Sequence, residues 1–334
     1  MSVPAVATGR ERQQSPLERY VNILGPVAMI VAIGVVMAIF EPRFFRVTNI
    51  RIILQDAAIY MVLGMAMTIV ITGAGIDLSI GSIAALSAIV MAIFIKDLNV
   101  AVYLALIAAL GVGVLCGLVN GLIITVLRVP DLITTLSTDL MFRGLALVMA
   151  AGAVLQRFPE PIPMIGRGRI LNDAIPVPII IGVVVLLIGV FIYRYTPLGR
   201  YAIAIGGNRE SAMLSGINVR RNKVYHYMLM GAAAGLAGIM LTGRLNAVQA
   251  TVAEGFALHT IAAVVVGGTV LFGGRGTMLG TLVGVVLLSM VTNALVILRL
   301  AFFWQLVAAG LIIVMSVAFY SYVERRGKGG SDMT

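Results

Sequence analysis

The sequence predicts an all-α integral membrane protein with about ten transmembrane helices. Of its 334 residues, 60% are hydrophobic and only 11% are charged, and the mean hydropathy is +1.05. Soluble domains carry roughly twice that charged fraction. The apolar residues fall into runs close to the roughly 20 residues that a helix needs to cross the hydrocarbon core. Polar, glycine-rich segments separate these runs, so a multi-pass helical bundle is expected.

Ten apolar runs mark the expected spans in chain order. They cover residues 23–40, 52–71, 79–95, 101–127, 139–155, 177–194, 224–243, 258–272, 277–297 and 301–320. The third and eighth runs are short, and the fourth is longer than a membrane requires. The polar segment before the first run is too long for an ordinary signal peptide and lacks a convincing cleavage site. The first run is therefore expected to be a retained anchor.

The distribution of basic residues predicts that both termini are cytoplasmic. The formal net charge is +10, but the basic residues form no patch with interleaved aromatic residues, and nucleic-acid binding is not expected. They concentrate in the tails and between the sixth and seventh spans, as the positive-inside rule requires. We expect a cytoplasmic tail over 1–22, a transmembrane domain over 23–322 with a cytoplasmic loop at about 195–223, and a second cytoplasmic tail over 323–334.

Three pairs of segments predict two related units, namely spans two to five and spans seven to ten. Aligned in order, the segments place Ser82 over Thr260, Asn120 over Asn293 and Gly144 over Gly310. One such match in apolar sequence is expected by chance, but three at similar separations favour a duplication. Because five spans separate the units, they lie in opposite orientations across the bilayer. Inverted repeats of this kind are typical of transporters.

The segment TGAGIDLSIGS, residues 72–82, interrupts the apolar pattern and is the first candidate site. Backbone freed by its glycines cannot face lipid and must be buried in protein or line water. Asp77 or Ser79 can cap the helix expected to start near Ile80 by accepting bonds from its first free amides. The corresponding segment of the second unit carries Glu254, one position from that of Asp77. The two carboxylates suggest paired gates or packing corners, with substrate contact as a less favoured alternative.

Three more polar residues inside apolar runs are candidates for the translocation path. Arg143 lies within the fifth span, where a cation needs water or a partner such as Asp139 four residues earlier. Asn120 and Asn293 can hydrogen-bond either a polar solute or a neighbouring helix. The two histidines of the chain stand far apart without other ligands at suitable spacing, so no metal site is predicted.

Four motifs together resemble one known family. They are GIDLSIGS, GLVNGLIIT followed by RVPDLITTLST, GGNRESAMLSGINV, and IAAVVVGGTVLFGGRGTMLGTLVG. Over residues 24–322 the chain resembles the permeases of bacterial ABC importers for ribose, xylose, arabinose, galactose and related monosaccharides. The resemblance implies an inner-membrane permease that pairs with a second copy or a close paralogue, binds two cytoplasmic ATPases and receives sugar from a periplasmic binding protein. Ala74 and Ser137 depart from the usual family residues, which leaves pentoses, hexoses, deoxysugars and polyols open as substrates.

The segment GGNRESAMLSGINVRR is the candidate surface for energy coupling. The sequence has no G-x-x-x-x-G-K-[ST] phosphate loop, so ATP and Mg²⁺ are expected on partner subunits and no cofactor in this chain. The candidate coupling residues are Asn208, Arg209, Glu210, Met213, Leu214, Ser215 and Gly216. The asparagine can N-cap a short helix, the glutamate lies in its first turn and the glycine can end it. The resemblance implies that this is the coupling helix that rests on the ATPase, and a solvated loop helix is the alternative.

Two other functional classes compete with this interpretation. An intramembrane aspartyl protease is disfavoured, because the Gly-Ala-Gly-Ile-Asp segment misses the G-x-G-D spacing by one residue and the remaining aspartates lie near span ends. A serine protease fails because Met213 occupies the position at which G-x-S-G requires glycine. An ion-coupled secondary transporter stays open, since an inverted repeat alone would allow it. No catalytic residue is predicted.

Overall fold

The computed structural model describes residues 16–300 together with 304, 307, 310 and 311, and it describes side chains from residue 24 onward. The described residues form twelve α-helices, which are α1 (Pro16–Phe40), α2 (Val47–Thr72), α3 (Ile80–Lys96), α4 (Val102–Val126), α5 (Asp131–Ala150), α6 (Ile162–Arg167), α7 (Val177–Tyr195), α8 (Pro197–Gly207), α9 (Arg209–Leu214), α10 (Val219–Leu245), α11 (Phe256–Val266) and α12 (Met278–Ile297). A 3₁₀ turn at Pro42–Phe45 joins the first two helices.

Four two-residue strands lie in the loops between the helices. They are β1 (Leu155–Gln156), β2 (Arg169–Ile170), β3 (Ile175–Pro176) and β4 (Ala247–Val248). Strand β1 pairs antiparallel with β4, with Leu155 opposite Val248, and β2 pairs antiparallel with β3. The β1–β4 pair joins the loop after α5 to the segment that follows α10.

Helix length and composition confirm a helical integral membrane protein. Six of the described helices, α2, α4, α5, α7, α10 and α12, are long and apolar enough to cross a membrane, and three shorter apolar helices cover residues 24–40, 80–96 and 256–266. The expected tenth span, residues 301–320, lies outside the described residues apart from four positions.

Two predicted spans differ from the helices that form. The fifth span was expected at 139–155, but α5 begins at Asp131, directly after Pro130, and ends at Ala150. The threonines in its first turns lower the hydropathy of this stretch, so the hydropathy pattern did not mark it as part of a span. Their side chains are nevertheless buried against protein. The eighth span was expected at 258–272, but α11 stops at Val266 because Gly267 and Gly268 follow, the latter with φ +88°. With 11 residues, α11 is about 16 Å long and spans only about half of the hydrocarbon core.

Helices α2 and α10 form the centre of the bundle. Over their apolar windows 72% of α2 and 67% of α10 is buried, against 17% of α7 and 28% each of α4 and α5. Helix α2 packs on α7, α10, α11 and α12, whereas α10 packs on α2, α3, α4 and α6. The peripheral helices therefore present broad apolar faces to the surroundings, as lipid-facing helices do.

The contact between α4 and α10 depends on glycine. A β-carbon built on Gly113 would lie 2.3 Å from the carbonyl oxygen of Gly231, and one built on Gly117 would lie 2.1 Å from that of Tyr227. Only glycine permits backbones to approach this closely, as in the small-residue interfaces of membrane helices. The same close packing occurs at Gly284 of α12, where a β-carbon would lie 2.0 Å from the Ala263 carbonyl oxygen of α11.

Candidate functional site

The chain leaves helical geometry after α2 and crosses residues 73–79, here named the first break, before α3 begins. Ala74 adopts φ +54°, and the amides of Ala74 and Gly75 donate to the carbonyl oxygens of Ile71 and Val70. This paired bonding is the Schellman arrangement that ends many helices, with alanine at the position where glycine is usual. The amide of Gly274 donates to Thr72 O at 2.8 Å and satisfies another terminal carbonyl.

Three of the predicted site residues meet at the first break. Asp77 is fully buried, and its Oδ1 accepts hydrogen bonds from the Ser79 amide at 2.9 Å and from Ser79 Oγ at 2.6 Å. Ser79 Oγ in turn accepts a hydrogen bond from Asn120 Nδ2 of α4 at 2.8 Å. The Asp77–Ser79–Asn120 chain therefore ties the first break to α4.

The expected capping role of Asp77 and Ser79 is wrong in its details. Helix α3 does begin at Ile80, but neither side chain accepts a hydrogen bond from the amides of its first turn. Asp77 instead binds Ser79, and the Ser79 hydroxyl donates its proton to Asp77. Among the described residues, Asp77 Oδ2 and Asn120 Oδ1 are buried without a hydrogen-bond partner. The site thus keeps two free acceptors in an apolar surrounding.

Arg143 holds the segment at residues 246–255, here named the second break. Its Nη1 donates to the carbonyl oxygens of Ala250 at 2.7 Å and Val252 at 3.0 Å. Nη2 lies 3.8 Å from Asp139 Oδ1, the partner expected from the i, i+4 spacing. The guanidinium therefore donates to two carbonyl oxygens of a non-helical segment and also offsets the charge of one carboxylate.

Glu254 and Asn293 are not brought to Asp77. Glu254 is exposed, so the two carboxylates that align in the sequence occupy unlike surroundings. Asn293 of α12 exchanges two hydrogen bonds with Asn49 of α2, at 2.9 and 3.0 Å. This amide pair joins two helices, which is the second of the two roles expected for Asn293.

The predicted coupling segment forms α9. The Asn208 side chain accepts a hydrogen bond from the Ser211 amide at 2.9 Å, as an N-cap does. At the other end Gly216 has φ +81°, and the Ile217 amide bonds to Ala212 O, which completes a Schellman ending. Ala212 is buried, whereas Met213 is 51% and Leu214 85% exposed. The helix is fixed on one side and presents apolar side chains on the other.

A groove of about 670 Å³ runs beside α9. Its lining includes Arg209 and Met213 of α9, Arg220 of α10 and Arg128 from the turn between α4 and α5. Lys223 of α10 and Asp131 of α5 also line it, and Lys223 Nζ contacts both carboxylate oxygens of Asp131, at 2.8 and 2.5 Å. The groove carries more cationic than anionic groups, so it favours an acidic partner.

Comparison with known proteins decides the family. Residues 49–316 match the family described as branched-chain amino acid transport system, permease component. This chain belongs to that permease family. The ribose import permease of Bacillus subtilis is 39% identical over 309 residues, covering 92% of this chain and 95% of that protein. The ribose import permease of Haemophilus influenzae is 37% identical over 89% of this chain and 92% of its own length.

A third permease relative extends the range of sugars. The D-allose transport system permease of Escherichia coli is 33% identical, over 88% of this chain and 90% of that protein. No solved structure matches the permease. The resemblance to ABC-importer permeases for monosaccharides is confirmed, and the chain is a transport subunit and not an enzyme. A permease of this class works with a separate ATPase and a periplasmic binding protein.

The sequence did not single out Asp131, Lys223 and Tyr227 of this permease. Tyr227 Oη donates to Asp131 Oδ2 at 2.9 Å and lies 3.1 Å from Ile76 O in the first break. One signal was present, because Lys223 and Asp131 flank long apolar runs and a charge that enters such a bundle needs a partner. Nothing in the sequence separation of 92 residues indicated which partner it was.

Proposed function

We propose that this permease moves a monosaccharide across the bacterial inner membrane as the transmembrane subunit of an ABC importer. The sugar arrives on a periplasmic binding protein, and partner ATPases use ATP and Mg²⁺. D-Ribose is the first sugar to test, because two of the most similar relatives named above are ribose import permeases. The family membership argues against the alternative of an ion-coupled secondary transporter.

The proposed topology has ten spans with both termini in the cytoplasm. Nine apolar helices follow one another in the described residues, and the apolar run at 301–320 supplies the tenth. The tails at 1–22 and 323–334 and the α8–α9 region then share the cytoplasmic side. A second permease copy, or a close paralogue, is proposed to cover part of the apolar periphery of the bundle.

The proposed inverted repeat relates α2–α4 to α10–α12, and helix contacts support it. Helix α10 packs on α3 and α4, and α2 packs on their counterparts α11 and α12. The contact of α3 with α4 likewise has its counterpart in the contact of α11 with α12. A twofold relation produces this exchange of partners between units, and it places α2 against α10 at the centre.

The gate is proposed to lie at the two breaks. Asp77, Ser79 and Asn120 hold the first break, and Arg143 holds the second. Non-helical backbone inside a membrane bundle commonly forms transporter binding sites and gates. Since Asp77 is fully buried, we assign it to a closed gate and not to an open path. Glu254 and Asn293 receive no role in substrate contact.

The observation that carries the coupling proposal is the exposed apolar side of α9. Leu214 is 85% exposed on a short helix that is capped at both ends and anchored through Ala212 against Ile205 and Val219. A rigid helix that presents methionine and leucine to water is suited to docking on a protein partner. We assign the partner as the ATPase.

The test is a charge placed at that contact. Leu214→Asp should reduce both co-purification of the ATPase and ribose uptake at least about tenfold, because burying an unpaired carboxylate in an interface is costly. Glu210→Lys, which alters a solvated charge near the helix start, should have a smaller effect. Leu171→Asp is the matched control, since Leu171 is 68% exposed in the loop between β2 and β3. Normal ATPase retention and uptake by Leu214→Asp would show that α9 is only a connector.

A further inference from the structure

A partly buried ion pair lines the groove beside α9. The Lys223 and Asp131 side chains are only 13% and 18% exposed, and the ammonium group contacts both carboxylate oxygens. Lys223 Nζ also reaches Ala74 O at 3.4 Å. A pair withdrawn from water is costly to break, because each partner would be left as an uncompensated charge. The start of α10 is thus bound to the start of α5.

The same pair holds the first break through Tyr227. The Tyr227 hydroxyl proton is shared between Asp131 Oδ2 and Ile76 O, and Tyr227 is 1% exposed. Gly75 lies between these groups, and a β-carbon there would be 2.9 Å from Asp131 Oδ2 and 3.0 Å from Tyr227 Oη. The break therefore fits closely against two side chains, one on α5 and one on α10.

Helix α9 is linked to these groups by a short path. Only Ser215, Gly216, Ile217 and Asn218 separate it from α10, and the Asn218 side chain caps α10 by accepting from the Arg221 amide. Ala212 of α9 packs with Val219 in the first turn of α10. Lys223 lies one turn further and Tyr227 two turns further. Helix α9 and these two side chains are therefore connected through one short, packed segment.

We propose that Asp131, Lys223 and Tyr227 form a latch that transmits movement of α9 to the first break. They are positioning residues for transport, since they act through their bonds to one another and to the Ile76 carbonyl oxygen. When the ATPase shifts α9, the start of α10 moves, and the hydrogen bonds to Asp131 and Ile76 carry that movement to the residues around Asp77. This proposal rests on the assignment of α9 as the ATPase-binding helix.

The sharpest test removes one hydroxyl from the latch. Tyr227→Phe preserves the buried ring but deletes the bonds to Asp131 and Ile76, and Tyr225→Phe is the control on the same helix, where the hydroxyl accepts only from exposed Arg221 Nε. We expect Tyr227→Phe to retain the ATPase and its hydrolysis while ribose taken up per ATP falls about fivefold, the scale of one lost hydrogen bond. Tyr225→Phe should transport normally.

A second readout does not depend on the identity of the sugar. In a Cys116→Ala background, Ala74→Cys places a single reporter at an exposed position of the first break. Its maleimide labelling rate should change on adding MgATP and vanadate to the assembled importer, and Tyr227→Phe should abolish that change. The latch is overturned if the ATPase is retained but labelling is insensitive to nucleotide, or if Tyr227→Phe behaves like Tyr225→Phe. Full retention of the ATPase by Leu214→Asp would instead overturn the coupling assignment on which the latch rests.

The ion pair is tested with a double-mutant cycle. Asp131→Asn and Lys223→Met should each lower uptake per ATP at least about tenfold, and the double variant should be no worse than either one because they act as a unit. Protein abundance and thermal unfolding separate a folding defect from uncoupling. Independent, multiplicative losses in the double variant, at normal abundance, would contradict the latch.

Discussion

The two breaks of the permease, one after α2 and one after α10, are held by different chemistry. At the first break, side chains form hydrogen bonds both with one another and with the backbone. Asp77 accepts a hydrogen bond from Ser79, and the Tyr227 hydroxyl reaches the Ile76 carbonyl oxygen. At the second break, one arginine holds two carbonyl oxygens, and the nearby carboxylate, Glu254, faces outward. The alignment of Glu254 near Asp77 in the sequence therefore did not predict similar interactions in the structure.

Because of this difference, we expect the interactions at the first break to be more sensitive to small displacements than those at the second. The surroundings of the first break combine a buried carboxylate, a partly buried ion pair and two acceptors without partners among the described residues. Each of these is stable only in a particular arrangement, because uncompensated polar groups are costly away from water. The second break depends on a single multidentate contact. We therefore expect the first break to respond to movement of α9 and the second to be fixed by α5.

The largest expected effect is at Asp77. Asp77→Leu leaves the amide and hydroxyl of Ser79 without their acceptor and should cost about 2–3 kcal/mol of unfolding free energy. Asp77→Asn keeps an oxygen acceptor and should cost about 1 kcal/mol. Glu254→Leu, at an exposed carboxylate of the second break, should stay within about 0.5 kcal/mol. Thermal unfolding of detergent-solubilised protein measures all three, and equal values for Asp77→Leu and Glu254→Leu would erase the distinction between the breaks.

Removing Arg143 should have the next largest effect. Arg143→Met deprives the carbonyl oxygens of Ala250 and Val252 of their charged donor and should destabilise the permease by about 2 kcal/mol. Arg143→Lys should lose less, since an ammonium group still donates but lacks the fork geometry of arginine. Arg167→Met, at an exposed arginine of α6, is the control and should be neutral. A neutral Arg143→Met would mean that the second break needs no clamp.

The smallest effects on stability are expected from substituting one residue with positive φ at each break. Ala74→Gly at the first break should stabilise the permease by about 0.5–1 kcal/mol, because alanine is strained at φ +54°. Gly255→Ala at the second break should cost about 1 kcal/mol, since Gly255 has φ +80°. Both changes are read from the same thermal unfolding curves. A destabilising Ala74→Gly would show that backbone freedom in the unfolded chain dominates at this position.

Hydropathy predicted the long helices well because each must satisfy its backbone internally over a fixed thickness. It failed where polar residues face protein, as at the start of α5, and it treated α8 (Pro197–Gly207) as part of a loop because that helix is only 11 residues long. The caps of α9 followed from local spacing, since Asn208 and Gly216 act within a few residues.

Non-local contacts were harder to infer from the sequence. The first break attracted notice because it was polar, and Asp77, Ser79 and Asn120 do meet there. The expected capping bonds were wrong because Ser79 donates to Asp77. The latch was missed because its partners come from different helices, and only packing determines which charge meets which. Glu254 was linked to Asp77 by alignment alone, and the structure leaves it at the surface.

The glycine contacts between α4 and α10 have a mechanical consequence. Where one backbone touches the other at Gly113 and Gly117, no intervening side chain can change rotamer and absorb a displacement. The two helices must therefore rotate together as one stiff lever. Helix α10, 27 residues and about 40 Å long, carries Lys223 and Tyr227 within its first nine residues, and the second break follows directly after its last residue. A small tilt driven from α9 would thus move α4 together with α10, and the stiff pair would carry it toward the second break, where Arg143 of α5 opposes it.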